Sequence, residues 1–256
     1  MLRHSFKKAL IASAFFVSGL GINDVQAKCS FPSQSERVSV RQVLDGDTLL
    51  LSDRRRVRLI GINTPELDDD GDLQRWAHQA KTVLEAWLAD SEGDVVIYPG
   101  LEKRDAYGRV LAYVSDLDGV DLAERLLKKG LAFSIAMAPE VRKKRCYFSA
   151  EQAARKARMG VWGGKLTRAR DLKEGGFSLL KGVVSHQWRL KTVDVLVLDN
   201  KLAVVFKRIR LPVNMLGQTV EVRGWVVARS FKRDRLSFPY TIYLNDRDNL
   251  LLIEQD

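Results

Sequence analysis

Cysteine and histidine are scarce in this chain, which has two cysteines and three histidines among its 256 residues. After residue 27 only His78 and His186 remain as histidines, and neither has a second histidine nearby. A zinc cluster needs several such ligands at short spacing, so the composition excludes one. The same scarcity argues against a histidine metal site and against a serine-type catalytic triad.

Long apolar runs are also scarce, and the clearest one lies at the N-terminus. Basic residues from Arg3 to Lys8 precede an uncharged, mostly apolar stretch of 14 residues at 9–22. Val25-Gln26-Ala27 is a small-residue cleavage pattern, so residues 1–27 are predicted to be a secretory signal peptide. The alternative is an uncleaved anchor, although a spanning helix needs ~20 apolar residues. We therefore expect export to a periplasm or the extracellular space, without stable membrane association after cleavage.

Acidic residues are outnumbered by basic ones, 32 to 42, which gives a net charge of +10. Such a balance favours a polyanionic partner, DNA or RNA above all, or an anionic membrane surface. The alternative is a basic surface with no such partner. The hydrophobic content of 46% and the six prolines indicate a folded globular chain.

Cys29 and Cys146 would both remain after cleavage, and an exported protein folds in an oxidising compartment. We expect a disulfide between them, which the chain-entropy model values at roughly 4–5 kcal/mol for so long a loop. The alternative is two free thiols, because Cys29 lies near the new N-terminus.

The hydrophobic periodicity predicts strands and helices in the first half of the chain and mostly strands in the second. In the first half, strands are predicted at 38–43, 48–51, 56–62, 95–98 and 110–114, with helices at 75–90, from a cap at Asp121 to Gly130, and from a cap at Ser149 to Met159. Tryptophans 76, 87 and 162 are interpreted as packing residues. Residues 165–176 are predicted to be a linker, and short strands at 179–184, 192–198, 203–208, 220–227, 240–244 and 250–253 predict a second barrel.

The most informative pattern is a set of carboxylates, an amide and two arginines on short segments bounded by turn residues. It comprises Asp45-Gly46-Asp47-Thr48, Arg58, Asn63-Thr64-Pro65-Glu66 and Asp105-Ala106-Tyr107-Gly108-Arg109. Oxygen ligands suit a hard cation such as Ca²⁺, and guanidinium groups grip a phosphodiester. Taken singly, each part has an ordinary alternative: Asp47 and Thr48 could cap a turn, and Arg58 could be a strand-edge charge.

In order and spacing this set resembles the thermonuclease family, the calcium-dependent staphylococcal-nuclease-like enzymes, over about half of the chain. The resemblance implies a mainly β fold, with an OB-fold nuclease domain of one β-barrel and three helices at 36–164. Residues 177–256 resemble the OB-like tail of some bacterial members. The implied activity is hydrolysis of phosphodiester bonds, leaving 5′-hydroxyl and 3′-phosphate ends.

The resemblance also assigns roles to single residues. Asp47, Asn63 and the Thr64 carbonyl would hold Ca²⁺, with Asp45 and Asp105 as supporting carboxylates. Glu66 would be the general base, and Arg58 and Arg109 would clamp the phosphate. Tyr107 would contact the substrate.

Three departures from the family pattern bear on these roles. Asn63 stands where the family usually has a second metal-binding aspartate, so Ca²⁺ affinity would fall or another divalent ion would serve. Ala136 and Ala138 stand where tyrosines line the family's nucleotide pocket, and Ala106 replaces a lysine. The aspartates at 68, 69, 70 and 72 could add a metal ligand or form a solvated loop.

The second domain carries no catalytic set but has a net charge of +5 over 177–256. Its basic residues Arg229, Lys232, Arg233 and Arg235 alternate with Phe231 and Phe238, a pattern that suits a single-stranded nucleic acid or simply a solvated hairpin. Two functions therefore stand: an exported metal-dependent nuclease, or a two-barrel nucleic-acid-binding module with a weakened catalytic site.

Overall fold

The computed structural model describes residues 30–67, 72–228 and 238–253. Three groups of sequence predictions lie outside these ranges: the signal segment with Cys29, the aspartates 68–70 and the basic segment 229–237. Within the described ranges, no helix is both long enough and apolar enough to cross a bilayer.

The first half of the chain forms a closed barrel with three helices. Its elements in chain order are β1 (Glu36–Asp45), β2 (Thr48–Leu51), β3 (Arg56–Leu59), β4 (Ile62–Asn63), α1 (Asp72–Ala89), β5 (Asp94–Arg104), β6 (Val110–Ser115), α2 (Leu122–Lys128), β7 (Phe133–Ser134) and α3 (Lys144–Lys156). The barrel closes in the order β1-β2-β3-β6-β5, while β4 and β7 form a separate two-stranded sheet. The predicted barrel with three helices is confirmed.

The helix boundaries differ from the prediction by a few residues, most of all at the start of the third helix. Asp121 caps α2 as expected, since its side chain accepts a hydrogen bond from the Glu124 N–H at 3.1 Å. The third helix was predicted to begin at Ser149, which is wrong, because α3 begins at Lys144 and Ser149 lies inside it. The first turn has no side-chain cap; instead the buried Tyr147 hydroxyl donates to Asp121 at 2.8 Å and fixes it.

The second half of the chain forms another closed barrel. Its strands are β8 (Thr167–Arg168), β9 (Gly176–Arg189), β10 (Val193–Leu198), β11 (Leu202–Lys207), β12 (Thr219–Ala228), β13 (Tyr240–Leu244) and β14 (Leu250–Ile253). Five of them close into a ring, because β12 pairs with both β13 and β9. The predicted second barrel is confirmed.

The segment expected to be a linker takes part in this second barrel. β8 lies within it and pairs in parallel with β9. Ala169 and Leu172 are buried in the second hydrophobic core, with Leu196, Val204 and Phe206. Residues 165–176 therefore pack against the second barrel through both backbone and side chains.

The first barrel has its own core, which fixes the strand ends that carry the motif residues. Leu49, Val57 and Ile97 alternate inwards from three different strands and pack with Leu84 of α1. Trp76 and Trp87 of the same helix are partly buried against this core, which agrees with the prediction that they are packing residues.

Candidate active site

The turn between β1 and β2 brings Asp45, Gly46 and Asp47 to one end of the first barrel. Asp45 holds the turn by accepting the Asp47 N–H at 2.9 Å. A Cβ on Gly46 would lie 2.7 Å from Ala80 Cβ and 2.8 Å from Thr64 Cγ2, which is too close for any side chain. The absence of a side chain at Gly46 thus lets the turn pack directly against α1 and Thr64.

Asp47 is a buried carboxylate whose two oxygens both accept hydrogen bonds. Oδ2 lies 2.9 Å from the Thr64 N–H and 2.8 Å from Arg58 Nη1, and Oδ1 accepts from the Thr48 hydroxyl at 3.1 Å. Burial raises the pKa of Asp47 to about 7, against the positive charge of Arg58. The carboxylate is therefore held in place from three sides, and its charge is balanced mainly by Arg58.

Arg58 links this carboxylate to Asn63. Its Nη2 donates to Asn63 Oδ1 at 2.8 Å, and its Nη1 also donates to the Leu59 carbonyl at 3.1 Å. The amide Nδ2 of Asn63 donates in turn to the Thr64 carbonyl at 2.8 Å. Since Asn63 has a donor on one side and an acceptor on the other, only one orientation of its amide satisfies both.

The three predicted metal ligands thus lie together, and their chemistry can be compared with the needs of a cation. Asp47, Asn63 and Thr64 offer a carboxylate, an amide oxygen and a carbonyl, the oxygen ligands that Ca²⁺ prefers. All three groups already accept hydrogen bonds from Arg58, Asn63 or Thr64. Among the described residues, no cluster of three acidic, histidine or cysteine side chains adds further ligands. The residues fit a calcium ion in kind, but with little negative charge.

Glu66 follows directly after this group, and its position suits an acid–base residue. β4 ends at Asn63, and Thr64 and Pro65 are buried while Glu66 is exposed. Its side chain lies at the surface only two residues from the Thr64 carbonyl, where solvent water reaches it.

Arg109 lies on the hairpin between β5 and β6, and Asp105 builds its turn. Asp105 Oδ1 accepts the N–H groups of Tyr107 and Arg109, both at 2.9 Å, and its Oδ2 accepts from Arg109 Nε at 2.7 Å. Burial alone would raise the pKa of Asp105, but the hydrogen bonds from Arg109 outweigh it and lower this pKa. Tyr107 is 78% exposed at the tip, with the Arg109 guanidinium 5.5 Å from its ring.

Strand pairing brings this hairpin towards Arg58. In the parallel β3–β6 pair, Arg58 lies opposite Leu111, two residues after Arg109. The Cα atoms of the two arginines are therefore within about 10 Å, given the usual strand spacing and rise. Arg109 directly precedes β6, so its backbone lies one strand away from Arg58 and is offset from it by two residues.

Some features of this region were not predicted from the sequence. The Thr48 hydroxyl was part of the motif without a role, and it proves to donate to Asp47. The ion pair between Asp47 and Arg58 carries no local signal, because two residues eleven apart meet only once β2 and β3 pair.

The expected disulfide involves Cys146, which is disulfide-bonded. Its expected partner Cys29 lies outside the described residues.

Comparison with known proteins identifies the class of protein to which this geometry belongs. Residues 56–164 match the family model described as staphylococcal nuclease homologue. The matched range contains Arg58, Asn63, Thr64, Glu66 and Arg109, and the second barrel lies beyond it.

Individual relatives agree with this match. The thermonuclease of Staphylococcus intermedius is 30% identical over 142 residues, which are 53% of this chain and 81% of that protein. The thermonuclease of Staphylococcus hyicus is 27% identical over 134 residues, 51% of this chain and 78% of that protein. Endonuclease YhcR of Bacillus subtilis is 29% identical over 136 residues, 48% of this chain but 11% of its own length. The chain belongs to the family of staphylococcal nuclease homologues.

Proposed function

We propose that this protein is an exported nuclease that hydrolyses phosphodiester bonds of DNA, with RNA as a second candidate substrate and Ca²⁺ as its metal ion. The observation that carries the proposal is the convergence of Asp47, Arg58, Asn63 and Thr64 in one hydrogen-bonded group next to the exposed Glu66. Family membership supports the reaction class, and the net charge of +10 supports an anionic substrate.

Glu66 is the proposed general base. Hydrolysis of a phosphodiester needs a group that takes a proton from the attacking water as the new P–O bond forms, and such a group typically contributes ~10²–10⁴-fold. An exposed carboxylate beside the predicted ligand group can reach a water and return its proton to solvent.

Arg58 and Arg109 are the proposed phosphate clamp. A guanidinium has five N–H donors, and the contacts of Arg58 to Asp47, Leu59 and Asn63 account for three of them. Asp105 orients Arg109 at the hairpin. From there the guanidinium group of Arg109 can reach a second phosphate oxygen. Donors of this kind stabilise the charge that develops on the phosphoryl oxygens in the transition state.

Asp47, Asn63 and Thr64 are the proposed ligands of the divalent ion. When bound, such an ion neutralises phosphate charge and lowers the pKa of a coordinated water. Asp47 supplies the anionic oxygen, and Asn63 supplies a neutral one where the family pattern has a carboxylate. We therefore propose a weaker Ca²⁺ site than a second aspartate would give, or one that accepts another divalent ion.

The test is cleavage of a labelled single-stranded oligodeoxynucleotide by purified residues 28–256. The proposal expects cleavage with Ca²⁺, loss of cleavage with chelator, and products with 5′-hydroxyl and 3′-phosphate ends. A parallel reaction with RNA of the same sequence measures preference. Absence of cleavage with every divalent ion tested would contradict the proposal.

A second candidate function is binding of nucleic acid without cleavage. The contacts of Arg58 with Asp47 and of Asn63 with the Thr64 carbonyl favour it, because the protein itself already satisfies the predicted ligand oxygens. In the same experiment this function predicts retention of intact oligonucleotide on the protein, with an affinity that falls steeply with salt.

A further inference from the structure

The strand that carries Asn63 lies outside the strand ladder of the first barrel. β4 and β7 are two residues long each and pair with each other outside the barrel, with Ile62 opposite Ser134 and Asn63 opposite Phe133. One further backbone bond joins them, from the Ile135 N–H to the Gly61 carbonyl at 2.9 Å. An isolated two-stranded pair is at best marginally stable in water, so the backbone of β4 depends on what holds segment 133–138, in addition to the contacts with Arg58 and Asp47.

The second barrel holds the opposite edge of this segment. Three alternate carbonyls, those of Ser134, Ala136 and Ala138, accept hydrogen bonds from side chains of the second barrel. The donors are Arg223 Nη1 at 2.8 Å, Asn249 Nδ2 at 2.6 Å and Asn245 Nδ2 at 3.0 Å, respectively. We call Arg223, Asn245 and Asn249 the edge clamp.

The edge clamp supplies what a neighbouring strand would supply. In a β-strand, alternate residues direct their N–H and C=O groups to the same edge. Asn249 is hydrogen-bonded to both backbone polar groups of Ala136, since its Oδ1 also accepts the Ala136 N–H at 2.9 Å. Ala136 and Asn249 are both buried, and unpaired backbone groups there would be costly.

Arg223 is itself fixed by a buried charge network that crosses between the barrels. It donates to Glu151 Oε2 of α3 at 2.7 Å and to Glu221 Oε1 at 2.8 Å. Glu151 Oε2 also accepts from the Ser134 N–H and hydroxyl, both at 2.6 Å. Arg155 completes the network with bonds to Glu151 and Glu221. The backbone of Ser134 is thus locked between a helix of the first barrel and a strand of the second.

We propose that the edge clamp positions the catalytic site: it fixes segment 133–138 and, through it, β4 with the proposed ligands Asn63 and Thr64. The second barrel is then part of the catalytic unit, in addition to any role in binding. This inference rests on the proposed nuclease function for its catalytic consequence. Its structural consequence, a β4 held in place from the second barrel, stands independently.

The burial beside the edge clamp also gives a physical reason for the alanine at 136, whereas Ala138 is exposed. Ala136 is fully buried, and its backbone contacts Asn249 on both polar groups. A tyrosine at 136 would have to displace these contacts to find space. The small side chain of Ala136 therefore suits this buried position.

The test compares Asn249→Ala with Gln187→Ala. Gln187 is a matched control, because its amide also binds one backbone carbonyl and one N–H, those of Pro212 and Met215, within the second barrel alone. Asn245→Ala removes a single, more exposed bond of the clamp and serves as the milder variant. Hydrogen exchange of the peptide 61–66 and the separate values of kcat and KM on single-stranded DNA are measured well below the unfolding temperature.

The expected result is at least about tenfold faster exchange of 61–66 in Asn249→Ala than in Gln187→Ala, with a smaller increase in Asn245→Ala. The kcat of Asn249→Ala should fall about tenfold or more with KM little changed, because a small misplacement of reacting groups is costly. Exchange equal to that of the control overturns the proposal, and so does unchanged kcat in a variant with faster exchange. If the parent protein cleaves nothing, the nuclease proposal fails, and exchange alone decides whether the clamp holds β4.

Discussion

Arg58 Nη1 lies 2.8 Å from Asp47 Oδ2, and the two side chains are only 10% and 6% exposed. Leaving one partner of such a buried pair uncompensated typically costs about 3–5 kcal/mol. The carboxylate proposed to bind a divalent cation is therefore balanced by a cation of the protein itself. A metal ion at this position has to compete with Arg58, and the outcome depends on how much negative charge surrounds it.

Asn63→Asp tests this competition. The added carboxylate supplies a second negative charge, and it can no longer donate to the Thr64 carbonyl, which is thereby released. We predict that the Kd for Ca²⁺ falls at least about tenfold, since calcium sites are tuned by ligand charge. Isothermal titration of Ca²⁺ into both proteins measures it, with the exposed Asn214→Asp as a charge control. Equal affinities in all three proteins would mean that residue 63 is not at the metal.

Gly46→Ala tests the contact between the Asp45–Asp47 turn and α1. The new methyl group would meet Ala80 and Thr64 at under 3 Å, so the turn must shift. We expect a loss of about 1–3 kcal/mol in unfolding free energy, together with slower cleavage. Gly119→Ala is the control. Its new methyl group would meet no atom within 4 Å, so the only strain comes from the positive φ of 79° at this position. If both variants cleave at the same rate, the turn does not position Asp47 for catalysis.

Acid should weaken the contact between the barrels. Burial alone would raise the pKa of Glu221, but hydrogen bonds from Arg155 and the charge of Arg223 outweigh it and lower the pKa below 4.5. A depressed carboxyl pKa contributes stability that is complete above the unfolded value and is lost as the pH falls through the folded value. The unfolding free energy should therefore drop steeply below about pH 4.5.

Glu221→Gln should remove much of this acid dependence. At neutral pH the variant leaves Arg155 and Arg223 with Glu151 as their shared carboxylate partner, so we expect a loss of about 1.5–3 kcal/mol. The difference from the parent should shrink as the pH falls below 4.5. Glu36→Gln, which breaks an exposed pair with Arg55, should cost under about 1 kcal/mol. A constant difference between parent and Glu221→Gln across this pH range would refute the assignment.

Arg109→Ala tests the phosphate clamp. Removal of a donor to the transition state typically costs ~10²–10³-fold in kcat, and Arg109→Lys should recover only part of it because the planar fork is lost. Arg104→Ala is the control, since Arg104 donates to the Gly108 carbonyl in the same turn. Equal losses in Arg104→Ala and Arg109→Ala would indicate that both act only by holding the hairpin.

Much of the fold could be predicted because its signals are local. The alternation in β1 and the apolar spacing in α1 depend on neighbouring residues, and the side chain of Asp121 caps the helix that directly follows it. The start of α3 could not be predicted, because Tyr147 holds it through Asp121, 26 residues away. The second barrel was predicted from the spacing of its strands, whereas the β9–β12 pairing that closes it joins distant segments and carries no local signal.

The candidate site divides in the same way. The resemblance of the motifs to the family located Asp47, Arg58, Asn63 and Glu66, because these residues lie on short consecutive segments. The direction in which Arg58 points depends on tertiary packing and was not foreseen. The edge clamp joins Ala136 to Asn249 across 113 residues, and no local pattern marks such a pair.

The most direct test of the nuclease assignment is the single-turnover cleavage rate of Glu66→Gln. The exposed Glu85 of α1 provides a matched control, Glu85→Gln, with the same chemical change outside the proposed site. All rates are measured on single-stranded DNA at saturating Ca²⁺. Because Glu66 is the proposed general base, we predict that Glu66→Gln is at least ~100-fold slower than the parent, while Glu85→Gln stays within about twofold. A Glu66→Gln protein that cleaves as fast as the parent would contradict the assignment of this site.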